Sequence, residues 1–487
     1  MPWLAHGGRA ADTPRFALGV ASGQPRPDGM VLWTRLTGAG LPERAPVRWE
    51  VAHDEQFRRP AAQGNEVAEA AWAHSVHAEP AGLEPGRGYW YRFTTLGQQS
   101  PPGRTRTAPA GGDPARLRFA VASCQRYDAG HYAAWRHIAA EDVDLVLFLG
   151  DYIYETPSRA DALRRHEGGV ARTLDEYRAR YATYKSDPLL QAAHASAPWL
   201  LVWDDHEVAN DYAGLQAQDL APDFGARRAA AYRAYWEHMP FARSMRPSGA
   251  EMRIVGRLDW GRLARIHLLD DRQYRDPQAC PRPGRGGSRI VAAAQCAALA
   301  DPQRSLLGFE QERWLDAGWD GSRPWNLVAQ QTLMAPLSGI DPAFGGGVYW
   351  TDGWDGYAAS RRRLLGGVAE KKVPGVVVLG GDLHSHIVAD LRADPDDPRS
   401  PIVASEFCGT SISSLSMAQS RLDAVRAYNP HIHLAQADQR GCLLGELNAG
   451  RLDMRLQVVE RPLESDSPVS TGARFVVEAG RPGPVTA

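Results

Sequence analysis

The sequence predicts an α/β protein in which a small antiparallel β-sandwich precedes a larger α/β domain. In the first part of the chain, short runs alternate between apolar and polar side chains between Gly and Pro turns, which is typical of antiparallel strands. Further along, fully apolar runs of strand length are separated by helical patterns, which indicates a buried sheet with helices packed on it. The 487 residues, of which 44% are hydrophobic, are enough for two or three domains.

The first domain is predicted to span residues 1–108. Residues 83–89 resemble the tyrosine corner of fibronectin-type modules, so we expect a fibronectin-like β-sandwich. The stretch 103–114 is rich in Pro and Gly and lacks apolar periodicity, which predicts a linker. Strands of the first domain are predicted at residues 30–36, 47–51 and 89–93.

The second domain is predicted to span residues 115–470 and to be followed by a C-terminal tail, residues 471–487. Residues 132–138 place three large apolar side chains on one helical face, and a capping box that begins at Thr173 predicts the start of a further helix. Three tyrosines follow with helical spacing and are expected in the core: Tyr177, Tyr181 and Tyr184. Strands are predicted at 117–122, 145–149, 199–203, 266–269, 327–328 and 376–379.

Composition excludes several classes of protein. The formal net charge of −2 argues against a dedicated nucleic-acid binder, so no stable nucleic-acid complex is expected. No run approaches the roughly 18 apolar residues that a membrane span needs. No export signal is visible in residues 1–16, which fits either a cytoplasmic protein or a mature chain. The five cysteines are too few for a disulfide scaffold, and Cys280 and Cys296 form either one local disulfide or two reduced thiols.

Candidate functional residues follow four of the predicted strands directly. The carboxyl ends of strands are where ligands gather in open α/β sheets, so these side chains are expected to face one cleft. Buried carboxylates so close together repel one another unless cations neutralise them, which predicts a metal site. The candidate ligands are Cys124 after the first strand, Asp151 and Tyr154 after the second, Asp205 and Asn210 after the third, and Asp382 and His384 after the fourth.

The mixture of ligand types indicates more than one kind of metal. Anionic Cys and Tyr side chains suit ferric iron, whereas carboxylate and amide oxygens suit calcium, magnesium or manganese. A mixed polynuclear site is therefore predicted.

Motifs over nearly the whole chain resemble those of the PhoD-like alkaline phosphatase/phosphodiesterase family, within the metallophosphoesterase superfamily. The resemblance implies a metallophosphoesterase-type α/β/β/α sandwich for the second domain. The chain differs from generic superfamily members in the residues at the first and third motifs. These differences are themselves features of the PhoD-like branch. The motifs lie at residues 18–23, 32–36, 123–125, 149–155, 204–210, 271–275, 330–331, 354–357 and 381–384.

The resemblance also implies which residues bind which metal. It implies a ferric ion held by Cys124, Asp151, Tyr154 and His384, with Asp151 bridging to calcium. Calcium would be held by Asp151, Asp382 and an oxygen from either Asp205 or Asn210, and Mn²⁺, Mg²⁺ or Zn²⁺ are alternatives to these ions.

The expected reaction is hydrolysis of small phosphate monoesters by a metal-activated water or hydroxide. His206, Arg126 and Arg272 are the candidate catalytic residues, although a structural hydrogen bond at His206 and an ion pair between Arg272 and Asp271 are competing interpretations. One rival function is a phosphodiesterase acting on nucleotides, nucleic acid or phospholipid. Another is a metal-free extracellular binding protein. Because the family is typically exported, a periplasmic or secreted location is expected.

Overall fold

The computed structural model describes residues 14–112 and 116–487. Most of the amino-terminal segment inspected for an export signal lies outside the described residues. The end of the predicted linker and the predicted first residue of the second domain, Ala115, lie outside them too. Among the helices of the described ranges, none combines the length and apolar character that crossing a bilayer requires.

Strands account for most of the regular structure and are numbered in chain order. In the described part of the chain they are β1 (Val20–Arg26), β2 (Gly29–Arg35), β3 (Arg44–Ala52), β4 (Pro60–Glu69), β5 (Ser75–Ala78), β6 (Gly88–Thr95), β7 (Gln98–Gln99), β8 (Gly103–Arg106), β9 (Leu117–Ala122), β10 (Leu145–Phe148), β11 (Pro198–Leu201), β12 (Gly256–Trp260), β13 (Ala264–Leu268), β14 (Ile290–Ala292), β15 (Trp325–Ala329), β16 (Val348–Trp350), β17 (Val376–Gly380), β18 (His386–Arg392), β19 (Ile402–Cys408), β20 (Ile432–Gln436), β21 (Arg440–Leu447), β22 (Arg451–Val459), β23 (Val469–Glu478) and β24 (Arg481–Thr486).

Helices connect the strands of the larger part of the chain. The capping box predicted at Thr173 is present: its side chain accepts from the Glu176 amide, and the Glu176 carboxylate accepts from the Thr173 amide. The three tyrosines with helical spacing in α2 are all buried, as predicted. The helices are α1 (Ala133–Ala140), α2 (Leu174–Lys185), α3 (Pro188–His194), α4 (Phe224–His238), α5 (Gly308–Asp316), α6 (Ala358–Lys371) and α7 (Gln419–Arg426).

Two large mixed sheets form the centre of the molecule. One has ten strands in the order β24-β23-β22-β21-β9-β10-β11-β1-β2-β5, and the other has seven in the order β12-β13-β15-β17-β19-β18-β20. In the first sheet β9, β10 and β11 are parallel neighbours. In the second sheet β15, β17 and β19 are parallel neighbours. The predicted apolar runs therefore form the centres of both sheets.

The two sheets pack face to face, with helices on their outer faces. Alternate residues of β15 and β17 belong to different cores: Leu327 and Val377 pack with the ten-stranded sheet, whereas Val328 and Val378 pack with α5 and α6. Because side chains alternate between the faces of a strand, this pattern places the seven-stranded sheet between the ten-stranded sheet and these helices. The arrangement is a four-layered α/β/β/α sandwich.

The amino-terminal region contributes to two sheets. Strands β3, β4, β6, β7 and β8 form a separate antiparallel sheet. The tyrosine corner is present next to β6, where the Tyr89 hydroxyl accepts a hydrogen bond of 2.9 Å from the Glu84 amide. Strands β1, β2 and β5 instead extend the ten-stranded sheet, and β1 pairs in parallel with β11. The division at residues 108 and 115, and at residue 470 ahead of the tail, stays a prediction.

Candidate metal centre

The candidate metal ligands lie where the two sheets present the carboxyl ends of their parallel strands. Cys124 follows β9, Asp151 follows β10 and Asp205 follows β11, all in the ten-stranded sheet. Asp382 and His384 follow β17 of the seven-stranded sheet. The centre therefore lies between the sheets, and each sheet supplies part of it.

An unusual backbone conformation turns four of these ligands into the centre. The backbone lies in the left-handed region, which residues other than Gly rarely adopt, at four ligands: φ is 58° at Cys124, 59° at Asp151, 63° at Asp382 and 53° at His384. Strained backbone of this kind costs roughly 1–3 kcal/mol per residue and clusters at functional sites. Gly150 makes the turn after β10 possible, because a Cβ there would lie 2.4 Å from the Asp204 Cβ.

Cys124, Asp151 and His384 form the first group of ligands. Their ligand atoms, the thiol sulfur, a carboxylate oxygen and a ring nitrogen, all lie within 4.8 Å of one another. The Tyr154 hydroxyl joins this group, 2.7 Å from Asp151 Oδ2 and 3.2 Å from His384 Nε2. The structure thus brings together the four side chains predicted to bind iron.

His384 is held in the form that can bind a metal. Its Nδ1 lies 2.6 Å from the Leu415 carbonyl oxygen, which makes Nδ1 the donor and leaves the Nε2 lone pair facing Tyr154 and Asp151. Burial lowers the pKa of His384 to about 4, so the imidazole is neutral at physiological pH.

Two further groups of carboxylates adjoin the first. One combines Asp151 and Asp205 with His206, and the other combines Asp205 with Asp211 and Asp352. Asp151 thus belongs to two groups of potential ligands, as expected of a bridging residue.

Asp382 and Asn210 line the same cavity as Asp151 and Asp205. Asp382 Oδ2 is buried without a hydrogen-bond partner in the described part of the chain. Burial raises the pKa of Asp382 to about 8, and Asp205 and Asp352 add to the effect. An oxygen of this kind is expected to bind a cation, because an unpaired buried carboxylate is costly.

The electrostatics of the first ligand group fit bound cations. Burial and the neighbouring Asp151 raise the pKa of the Cys124 thiol well above its usual range. Burial and the same carboxylate raise the pKa of Tyr154. Both side chains need a cation to become anionic ligands here, and a thiolate, a phenolate, a carboxylate and an imidazole together suit a trivalent or borderline metal.

Two glutamates form hydrogen bonds with the loops that carry the candidate ligands. The Glu207 carboxylate accepts hydrogen bonds from the amides of Asp151, Tyr152 and Asp204, at 3.0, 2.6 and 2.9 Å. Glu155 Oε2 lies 2.7 Å from His206 Nδ1 and directs the rest of that ring towards the cavity. The two glutamates therefore fix the loops after β10 and β11 relative to each other.

The three candidate catalytic residues lie in different surroundings. His206 lines the cavity. Arg126 binds Asp128 and lies 5.2 Å from the centre of the Tyr154 ring, and Arg272 is buried between Asp204 and Asp352. Neither arginine is among the described residues that line the cavity. The partners of Arg272 are thus aspartates distant in sequence rather than its neighbour Asp271.

Sequence reasoning missed three supporting residues. Ser414 donates to the Cys124 carbonyl oxygen at 2.8 Å and lies 2.7 Å from the Tyr154 hydroxyl. Asp352 accepts from Arg272 and Arg275, and Asp211 accepts from Ser288. For Asp352, the only signal in the sequence is its position two residues before the motif at 354–357. Ser414 lies in a serine-rich loop that carries no such motif.

A cavity of about 660 Å³ opens above the metal ligands. Part of its wall is the two-stranded sheet of β14 and β16, which supplies Ile290, Val348 and Trp350. A disulfide between Cys280 and Cys296 closes the loop that carries β14, so the structure favours the disulfide over two free thiols. Cys124 is free and buried.

Comparison with known proteins identifies the family. Residues 119–456 match the model of the PhoD-like phosphatase, and residues 3–109 match that of the PhoD-like phosphatase N-terminal domain. Alkaline phosphatase D of Bacillus subtilis (strain 168) is 41% identical in an alignment 486 residues long that covers 96% of this chain and 82% of that protein. The chain belongs to the PhoD-like phosphatase family.

The fold of this PhoD-like phosphatase is also shared. The solved structure of PhoD matches it with a TM-score of 0.90 and 39% sequence identity, over 99% of this chain and 93% of that one. The predictions of an α/β fold and of a phosphoesterase function are confirmed. Family membership therefore favours a phosphatase over the rival interpretation of a metal-free extracellular binding protein.

Proposed function

We propose that this PhoD-like phosphatase is a metal-dependent alkaline phosphatase that hydrolyses phosphate monoesters. The observation that carries the proposal is the convergence of Cys124, Asp151, Tyr154 and His384 on one point beneath an open cavity. The name of the Bacillus relative, an alkaline phosphatase, supports the same activity.

We propose ferric iron as the ion held by Cys124, Asp151, Tyr154 and His384, because thiolate and phenolate ligands suit it. Calcium is proposed at Asp151, Asp382 and an oxygen of Asp205 or Asn210, with Mn²⁺, Mg²⁺ or Zn²⁺ as alternatives. When bound, such cations lower the pKa of water and neutralise charge that develops on the phosphoryl group.

The chain's own residues would position the ester and its leaving group. His206 faces the cavity, and its Nδ1 is occupied by Glu155, so Nε2 is the atom that would contact the ester oxygen and deliver a proton to the leaving alkoxide, which departs as the alcohol. The apolar cavity wall would contact the alcohol part of the ester.

Arg126 and Arg272 are proposed to position other groups rather than to contact substrate. Arg126 would hold the Tyr154 ring by a cation–π contact, and Arg272 would hold Asp204 and Asp352.

A phosphodiesterase is the second candidate function. A diester needs room for a second alcohol, and the volume of about 660 Å³ above the ligands provides it. A small monoester would leave most of this volume to solvent.

We also propose a periplasmic or secreted location. The disulfide between Cys280 and Cys296 supports it, because disulfides persist in oxidising compartments.

The test is hydrolysis of p-nitrophenyl phosphate and bis(p-nitrophenyl) phosphate, with chelator, without it, and with calcium restored. We expect turnover that chelator abolishes and calcium recovers, and the ratio of the two kcat/KM values chooses between monoester and diester. The Asp382→Asn variant should lose turnover, whereas Asp466→Asn, at an exposed aspartate that does not line the cavity, is the matched control. A protein that contains iron and calcium yet turns over neither substrate would contradict the proposal.

A further inference from the structure

The cavity above the metal ligands changes in chemistry from its floor to its mouth. The floor consists of buried acidic residues such as Asp151, Asp205 and Asp382. The mouth is marked by exposed side chains, among them Ile290, which is 52% exposed. A volume of about 660 Å³ lies within the range of sites that enclose a whole ligand of drug size, so the leaving alcohol has space of its own.

The walls of this space are largely apolar. A leaving alcohol in contact with them would gain free energy by burying apolar surface, at roughly 25 cal/mol per Å². Small polar alcohols would gain nothing there. The apolar side chains that line the cavity above its floor include Leu333, Leu337, Val348, Trp350, Met417 and Val425.

Arg421 lies at the mouth and is the one Lys or Arg among the described residues that line the cavity. Its side chain is exposed, and it forms no hydrogen bond, ion pair or ring contact with other described residues. Arg126, Arg272 and Arg275, near the metal ligands, are all paired with aspartates. Arg421 therefore has a free guanidinium that can bind an anion in bidentate fashion.

Helix α7 fixes the position of Arg421. Residues 421, 424 and 425 have the i, i+3, i+4 spacing of one helical face, and all three line the cavity. Leu422 is fully buried and anchors the other side of the helix. Gln419, at its first turn, accepts from the Ala437 amide at 2.6 Å and donates to the Ala435 carbonyl at 3.1 Å. The guanidinium is thus held on a packed element rather than on a loop.

We propose that Arg421 forms an anion subsite at the cavity mouth. The preferred substrates are then phosphate esters whose alcohol has an apolar body that ends in a second anionic group, either a carboxylate or a further phosphate. The ester phosphate lies at the metal ligands, the apolar body lies against the wall, and the second anion pairs with Arg421. This inference rests on the proposed phosphoesterase activity and adds the class of alcohol to it.

The experiment compares three aryl esters that share one biphenyl body. They are biphenyl-4-yl phosphate and its derivatives with a carboxylate or a phosphonate at the far end of the biphenyl. Release of inorganic phosphate from the ester is measured for each. We expect KM for one or both anionic esters to lie about five- to tenfold below KM for the uncharged ester, which is the gain of a charge-assisted pair. The difference should shrink at high salt.

The Arg421→Gln variant should reduce this KM ratio to about one, and Arg421→Lys should retain part of it. Arg426→Gln is the matched control, since Arg426 is exposed on the same helix but does not line the cavity, and it should keep the ratio. Preference for the phosphonate alone or the carboxylate alone supports the subsite and identifies the second anion.

Turnover of all three esters with equal KM in the wild type overturns the inference, as does a ratio that survives Arg421→Gln. Both results leave the proposed function standing. Failure of the proposed function has a different signature, which is the absence of chelator-sensitive phosphate release from all three esters.

Discussion

The Tyr154 hydroxyl lies at the meeting point of the proposed iron ligands. It contacts Asp151 and His384, and Ser414 lies 2.7 Å from it. Its ring packs on His206 with centroids 4.2 Å apart. A single side chain thus links the proposed iron ligands to the residue proposed to protonate the leaving group.

Replacing this hydroxyl tests the iron assignment. In Tyr154→Phe we expect iron affinity to fall by at least about 10- to 100-fold, a loss that is typical even of groups that only support ligands. Any visible phenolate-to-iron absorption should disappear. Tyr181→Phe is the control, because the buried Tyr181 hydroxyl has no hydrogen-bond partner among the described residues. A Tyr154→Phe protein that keeps both iron and colour would contradict the assignment.

His77 predicts how stability depends on pH. It is buried in β5, stacked on Trp236 at 3.8 Å with Nδ1 2.8 Å from the Phe241 carbonyl oxygen. Burial, reinforced by Arg246 and Arg243, lowers the pKa of His77 from 6.5 to about 3. As pH falls below 6.5 the unfolded chain binds a proton that the folded chain does not. The stability contribution is therefore present above pH 6.5 and is lost as pH falls towards 3.

Urea unfolding between pH 7 and pH 4 measures this effect. The free energy of unfolding should depend less steeply on pH in His77→Phe than in the wild type. The slope should fall by about 1.4 kcal/mol per pH unit in this window, which corresponds to one proton. His433→Phe, at an exposed histidine, is the control. An unchanged slope in His77→Phe would show that the histidine is protonated in the folded protein.

The turn between β10 and its ligands is an element with little tolerance for change. Gly150 has a φ of 110°, and a Cβ there would meet Asp204. The displaced residue would be Asp151, whose amide is held by Glu207. The spacing of β10 and β11 at their carboxyl ends therefore depends on the absence of a side chain.

Gly150→Ala should destabilise the protein by about 1–3 kcal/mol through overpacking and backbone strain. Metal content and turnover should fall at least about tenfold, because displacement of ligands by even 1 Å is costly to catalysis. Gly82→Ala is the control: its φ is 76°, yet nothing lies within 4 Å of the added Cβ. Equal effects of the two substitutions would mean that strain alone, and not contact with Asp204, is responsible.

Elements with local signals could be predicted from the sequence. The strand at 117–122 and the capping box at Thr173 are found as predicted, because apolar runs and cap chemistry act over a few residues. Strand partners could not be predicted, because pairing of β1 with β11 joins segments far apart in sequence. Ser414 and Arg421 reach the site by the same kind of long-range packing, so no local pattern marks them.

At the scale of the whole molecule, the amino-terminal strands are part of the central sheet. Ser22 of β1 pairs with Pro198 of β11, and the Trp33 indole of β2 donates to the Glu237 carbonyl oxygen at 3.1 Å. Trp33 is fully buried. The first part of the chain therefore contributes core and hydrogen bonds to the second.

A fragment of residues 116–487 tests this dependence. We expect it to aggregate or to lack a cooperative thermal transition, because β11 becomes an exposed edge and an apolar surface is uncovered. The fragment 14–487 is the matched control and should unfold cooperatively. A soluble 116–487 fragment with native near-ultraviolet circular dichroism would show that the larger domain folds independently.

The ten-stranded sheet also has a consequence for synthesis. It combines β1 and β2 with β21 to β24, which lie much further along the chain, and β21 is the strand that pairs with β9. The sheet therefore cannot be completed until β21 to β24 have been synthesised, and β9 presents an unpaired edge until β21 is available. Translation that stops early leaves the Cys124 loop next to an incomplete sheet, so partly made chains are expected to be substrates for chaperones and proteases rather than partly active enzymes.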